Sequence, residues 1–289
     1  MPTRVALVVH PTRAVERALA TLVGWTDERG VPLVQLAVEG DAGRSLAAAG
    51  SLEPGDLVLA LGGDGTVLSA LRAAAARDAP VLGIACGSLG ALSAVKADGL
   101  AGALDRVFSG DWTPRSLPAL AVDEGSGRVA WAANDFVVVR RGAGQLVAEL
   151  SIDDELYARV AGDGLIIATA LGSSAYSMAA GGPVLAASTP AFVCTPLAMH
   201  GGNAPPVVAG ADATATVVVQ PGFAGFDVEI DGHNHELAGP RFALTLHMDK
   251  LTLVTFGPSG GHGLTALRKR LLVFDSPRIL ARDERGKLR

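Results

Sequence analysis

The run Leu61-Gly62-Gly63-Asp64-Gly65-Thr66 sets one carboxylate among three glycines, between an apolar segment and a helical pattern. Glycines at a strand-to-helix turn let the backbone approach a ligand closely and admit positive φ angles. The helix start supplies free N–H groups and the positive end of a dipole, which suit phosphate oxygens. A carboxylate repels phosphate, so Asp64 needs a task there; activating a hydroxyl or holding a magnesium ion would be one. The same residues also make a tight turn with Asp64 as helix N-cap. Their spacing fits neither a Walker loop nor the G-x-G-x-x-G dinucleotide fingerprint.

Two further groupings carry chemistry. Gly162-Asp163-Gly164 leads through an apolar run to Thr169 and then to Gly172-Ser173-Ser174-Ala175-Tyr176. Hydroxyls and small residues at such a junction suit a nucleotide base or its phosphates, and they equally suit a packed junction with serine caps. Asn134-Asp135 lies in an apolar segment, where polar side chains are costly unless paired or ligand-bound; a surface-facing strand end is the alternative. His233 and His235 share one strand face without a third ligand nearby, so no protein-held metal is expected. Cys86 and Cys194 have no metal-ligand spacing and read as buried free thiols.

The elements that must position these groups fall into two regions. Segments 4–9, 32–38, 56–61 and 81–85 read as strands, alternating with helical patterns over 13–29 and 66–77. That alternation predicts a parallel sheet with helices on both faces, and ligands in such sheets bind beyond the carboxyl ends of the strands. From 113 onward the chain reads as β-rich, with strands expected over 117–123, 129–139, 146–152, 156–160, 164–169, 214–219, 226–231, 242–247 and 251–255. A short helical stretch is expected over 174–180. The expected organisation is α/β: a nucleotide- and phosphate-binding domain over 1–112, a β-rich acceptor-binding domain over 113–257, and a last helix within 258–289 returning to the first domain.

Composition narrows the functional classes. The chain has 289 residues, 49% hydrophobic and 4% aromatic, with a formal charge of −5 and no long run of one sign. A nucleic-acid partner would require a basic face or tail, which is absent from the pattern. No stretch is long and apolar enough for a membrane span, and no basic amphipathic surface of the kind a lipid kinase needs is discernible. A cytoplasmic protein is the expectation.

Taken in order, the motif at 62–66, Asn134-Asp135 with Arg141-Gly142 behind it, and the block from Asp163 to Tyr176 make the sequence similar to NAD kinases over nearly its whole length. Val5 to Pro11, Asp231-Gly232 and the final basic segment around Arg268 carry the same resemblance. The first motif alone is shared with diacylglycerol, sphingosine and phosphofructokinase-like enzymes. The resemblance implies a two-domain kinase with its active site between the domains, in a homodimer or homotetramer. It implies phosphoryl transfer from ATP, accompanied by magnesium, to the 2′-hydroxyl of the adenosine ribose of NAD. Asp64 would be the catalytic base, with Gly62, Gly63, Gly65 and Thr66 at the donor phosphates. Asn134 and Asp135 would hold the acceptor, and Asp163, Ser174, Ala175 and Tyr176 would line its pocket, some of them across a subunit interface.

The sequence departs from the family at acceptor positions. Asp135 stands where the family has glutamate, Ala91 follows Gly87-Ser88-Leu89-Gly90 in place of an aromatic, and Asn203-Ala204-Pro205-Pro206 replaces a Ser-Phe-Arg-Pro segment. Lost polar partners change selectivity by orders of magnitude. The alternatives are therefore a kinase acting on another nucleotide, nucleoside or hydroxylated metabolite, and a nucleotide-binding sensor without turnover.

Overall fold

The structure, a computed structural model, describes residues 1–38, 44–125, 127, 129–220, 225–236, 239–257 and 268. Residues Met1–Ser259 form one compact unit and Gly260–Arg289 a second. The expected last helix lies outside the described residues.

In chain order the first region comprises β1 (Arg4–Val9), α1 (Glu16–Arg29), β2 (Leu33–Leu36), β3 (Ala49–Gly50), β4 (Asp56–Gly62), α2 (Asp64–Ala75), β5 (Pro80–Ala85), β6 (Val95–Lys96) and α3 (Leu100–Ser109). There follow β7 (Thr113–Asp123), β8 (Val129–Ala132), β9 (Asp135–Arg140), β10 (Leu146–Ile152), β11 (Glu155–Gly162), β12 (Gly164–Thr169), α4 (Tyr176–Ala179), β13 (Ala191–Leu197), β14 (Val207–Gly210), β15 (Thr214–Gln220), β16 (Phe226–Ile230), β17 (His233–His235) and β18 (Arg241–Thr255). The expected parallel amino-terminal sheet and β-rich remainder are both present.

Strands β3-β2-β1-β4-β5 pair in parallel, and the sheet continues through β18, β15 and β10 to β11. Beyond Arg4 and Asp56, which pair with each other at the strand starts, β1 and β4 are built from apolar residues and glycine because both faces are covered. On β1, Ala6 and Val8 face the cluster containing Val67, Ala70, Leu71 and Ala74 of α2, while Val5, Leu7 and Val9 face Leu22 of α1 and Leu104 of α3. The helices therefore take opposite faces, and the chain leaves β1 and β4 in opposite directions. The ends of those strands form the switch point of the sheet, where a crevice opens.

A second sheet, ordered β14-β13-β12-β9-β16-β17, is antiparallel throughout. It packs on the far half of the first sheet through Leu120, Phe136, Val138, Ile167, Phe192, Val217, Phe242 and Leu244, all fully buried. β18 pairs in parallel with β5 and antiparallel with β7, which joins the two regions into one sheet.

Several boundaries differ from expectation. The anticipated strand over 129–139 breaks at 133–134, and those expected over 242–247 and 251–255 are one strand with a register shift between His247 and Leu251. The helix expected over 174–180 is a 3-10 turn, Gly172–Ser174, followed by the short α4. β13 and β14 have no counterpart in the sequence reading. β13 contains Pro196 and Cys194 and lies between glycine-rich loops, which masked its pattern. Among the described residues no helix is long and apolar enough to cross a membrane.

Candidate active site

Strands β1, β4 and β5 end level, with Val9 beside Leu61 and Gly62 beside Ala85. α2 begins immediately after β4, with Gly63 as N-cap in extended conformation (φ −117°). Asp64 is thus the first helical residue and not the N-cap. Its two carboxylate oxygens accept the N–H groups of Ala91 (3.0 Å) and Leu92 (3.1 Å). The loop after β5 therefore fixes the orientation of this carboxylate, and Gly90 is required there because a Cβ would collide with Asp64.

The glycines of the motif work differently from expectation. None of Gly62, Gly63 and Gly65 has positive φ. A Cβ on Gly62 would strike the Thr66 side chain, whereas one on Gly63 or Gly65 would meet nothing within 4 Å. Gly62 permits packing, and Gly63 and Gly65 leave space over the helix N-terminus. That space belongs to a cavity of about 320 Å³ lined by His10, Pro11, Arg13, Gly63, Asp64, Gly65, Thr66, Ser69 and His233, among others. The Thr66 hydroxyl is buried there with no hydrogen-bond partner among the described residues.

Sequence reasoning missed His10 and Arg13 in this cavity. His10 Nδ1 accepts the amides of Thr12 (3.2 Å) and Arg13 (3.0 Å), which places the imidazole proton on Nε2. Burial, with Arg13 and Arg44 nearby, lowers the His10 pKa and keeps the ring neutral. Among the described residues no carboxylate pairs with Arg13. The detectable signal was position: both residues follow β1 at the carboxyl edge of the sheet. His233 arrives from the β16–β17 turn, 169 residues beyond Asp64 in number, and only the fold brings it here.

Asn134 lies in the break between β8 and β9, and Asp135 opens β9. Asp135 is 5% exposed, and its carboxyl pKa is pushed up to about 7 by burial, with the charges of Asp231 and Glu229 adding to the effect. Burial also raises the Asp231 pKa, against the opposing pull of the amides of Asn134, Ala133 and Asp135 and of Arg72. Three amides and a guanidinium oppose the effect of burial on Asp231, whereas the charges beside Asp135 add to it.

The third grouping divides. Thr169 donates its hydroxyl to the Ala133 carbonyl (2.7 Å) and its amide to that of Asn134 (2.8 Å). A Cβ on Gly172 would collide with the Asn134 backbone, so this loop is stapled against Asn134. The Ser174 hydroxyl donates to Leu171 O (3.3 Å) and is buried. Ala175 leads into α4, and Tyr176 is exposed, its pKa raised by burial of part of the ring and by Glu229, Asp163 and Asp135. Asp163 stands apart. β9 and β12 run antiparallel with Asp135 opposite Ala168 and Val139 opposite Gly164, so Asp163 lies at the far end of this pair from Asp135. It accepts Arg140 Nε at 2.6 Å and lines a separate cavity of about 290 Å³ with Tyr176, Gly142 and Leu197. Within one chain Asp163 and Asp64 therefore do not share a cavity. Pro205, in the departing segment, accepts the Tyr157 hydroxyl at 2.7 Å.

Among the described residues no cluster of three or more His, Cys, Asp or Glu side chains is arranged to hold a metal. The architecture is that of solved kinases. Yeast NADH kinase, solved with NADH, superposes with a TM-score of 0.71 at 19% identity, covering 95% of this chain and 89% of that one. An NAD kinase from Archaeoglobus fulgidus, solved with ATP, gives 0.69 at 21% identity, covering 92% of this chain and 98% of that one. Residues 52–112 match the family model described as ATP-NAD kinase N-terminal domain, and residues 133–241 that described as ATP-NAD kinase C-terminal domain. The NAD kinase of Chlorobaculum tepidum is 32% identical over 273 residues, spanning 92% of this chain and 96% of that protein. That of Nitratidesulfovibrio vulgaris strain Hildenborough is 34% identical over 273 residues, spanning 90% and 89%. With both halves matched in order and the relatives aligned almost end to end, the chain belongs to the NAD kinase family.

Proposed function

We propose that this chain transfers the γ-phosphoryl group of ATP to the 2′-hydroxyl of the adenosine ribose of NAD, giving NADP and ADP. Family membership makes the chain a phosphotransferase with an alcohol acceptor. The observation that carries the reading is Asp64, oriented by two amides at an open helix N-terminus on the switch point of the sheet. Donor phosphates lie against the amides of Gly63, Gly65 and Thr66, with Gly62 setting the turn and the Thr66 hydroxyl supplying a donor. The acceptor hydroxyl attacks the γ-phosphorus, the bond to the ADP oxygen breaks, and the hydroxyl proton passes to Asp64. Catalysis rests on positioning and charge neutralisation.

Magnesium enters with ATP. One protein carboxylate plus phosphate oxygens and water is a donor set that this ion accepts, and Asp64 retains lone pairs for it. The ion would neutralise charge on the transferring phosphoryl group. Asn134 and Asp135 hold the acceptor nucleotide, supported by Ser174, Ala175 and Tyr176. We assign the donor role to residues 1–112 and the acceptor role to 113–257, because Asp64 comes from the former and Asn134-Asp135 from the latter. Asp163, at the opposite end of β9, serves the active site of a second copy in a homodimer or homotetramer.

The test is incubation of the protein with ATP, magnesium and NAD, alongside NADH, nucleosides and sugars, with product identified by mass spectrometry. NADP formation is expected, with kcat reduced about 10²- to 10⁴-fold in Asp64→Asn. Phosphate on another acceptor and none on NAD would overturn the assignment of NAD. Equal turnover by Asp64→Asn would remove Asp64 from the catalytic role.

A further inference from the structure

The segment Ala133-Asn134-Asp135 has no complete strand partner, yet its backbone is fully served. The carboxylate of Asp231 accepts the N–H groups of Ala133 (3.1 Å), Asn134 (2.6 Å) and Asp135 (3.2 Å). The three carbonyls accept from Thr169 Oγ1, Thr169 N and Asp231 N at 2.7, 2.8 and 3.0 Å respectively. Three successive amides converging on one carboxylate form an anion-binding concavity, here filled by the protein's own side chain. This is the physical reason for the break between β8 and β9.

Asp231 is itself built into place. It has φ 50°, a left-handed conformation that Asp and Asn tolerate better than most residues. Its side chain has 0% exposure, and Arg72 Nε lies 4.0 Å from its Oδ2. The same guanidinium donates through Nη1 to the carbonyl of Ile230, the residue before Asp231. Arg72 stands on α2, eight residues after Asp64, which along a helix is roughly 12 Å. The helix that starts with Asp64 is thereby tied, through Arg72 and Asp231, to the backbone that carries Asn134 and Asp135. The turn that follows also delivers His233 to the Asp64 cavity.

We propose that Asp231 is a positioning residue which, braced by Arg72, fixes Asn134 and Asp135 relative to Asp64 and so sets the affinity for the acceptor nucleotide. The proposal rests on the assignment of Asn134 and Asp135 to acceptor binding. Asp231 touches no reacting atom. Its effect on the acceptor passes through the three amides, and the donor phosphates, which meet the opposite end of α2, do not sense it.

The variant Asp231→Asn keeps the left-handed backbone but turns an amide NH₂ toward N–H groups that need an acceptor. Hydrogen–deuterium exchange over 133–135, read by mass spectrometry, is expected to quicken at least about tenfold. KM for NAD should rise about tenfold to a hundredfold, with KM for ATP within about twofold of wild type. Arg72→Gln, which leaves the carboxylate in place, should move the same readouts in the same direction by less, and it carries the test if Asp231→Asn does not fold. Unchanged exchange over 133–135 in the folded variants would overturn the proposal, as would an equal rise in both KM values. If wild type makes no NADP, the exchange measurement still judges the role of Asp231, so that failure of the functional assignment is separable from failure of this one.

Discussion

Asp135 makes the pH dependence of stability calculable. Its carboxyl is 5% exposed, beside Asp231 and Glu229, and its pKa stands at about 7 against an ordinary 3.8. Because the folded state binds the proton more tightly than the unfolded chain, this group's contribution is fully present below the unfolded pKa. It is lost as pH rises through the folded value. Each unit is worth about 1.4 kcal/mol, so complete ionisation costs on the order of 4 kcal/mol between pH 4 and pH 8. For a chain of this size each kcal/mol moves the melting temperature by about 2–4 °C. Asp135→Asn replaces the titrating group by a neutral one of the same shape. Thermal unfolding of both proteins across pH 4 to 9 should show wild type losing about 3–5 °C per pH unit relative to the variant up to pH 7, then running parallel to it. The groups facing Asp135 that titrate or carry charge are Asp231, Glu229 and Tyr176, with Arg72 behind Asp231, and they remain in both proteins. A constant offset between the two curves over the whole range would refute the reasoning, because it would mean that Asp135 is ionised throughout.

Two further substitutions separate packing from chemistry. Thr66→Val removes a buried hydroxyl that has no partner among the described residues, so the melting temperature should hold or rise while KM for ATP increases several-fold; a fall in melting temperature with unchanged kinetics would show the hydroxyl to be structural. Gly172→Ala drives a methyl into the backbone of Asn134, so it should cost roughly 1–3 kcal/mol in denaturant unfolding and weaken NAD binding, and wild-type values for both would contradict the stapled geometry.

What the sequence determined by itself is what is local or periodic. Apolar runs at strand length separated by helical patterns specify a parallel sheet covered on both faces, and β1, β4 and β5 stand where those runs place them. Asp64 was legible because three glycines around one carboxylate at a strand-to-helix turn are informative without any distant contact. Asn134-Asp135 was legible because polar residues in an apolar segment are costly, although the cause of the break beside them was not. That cause is Asp231, 97 residues away from Asn134, whose carboxylate replaces a strand neighbour. The amides holding Asp64 come from Ala91 and Leu92, the brace on Asp231 comes from Arg72, and His233 enters from a turn in the other sheet. The separation of Asp163 from Asp64 likewise follows from the antiparallel register of β9 and β12, which no short motif encodes. Hydrogen bonds to backbone amides carry no residue-type signature at the donor, and a carboxylate in a turn reads alike whether it faces water or three amides. Only the tertiary structure, by closing two sheets on one another, decides which of these groups meet.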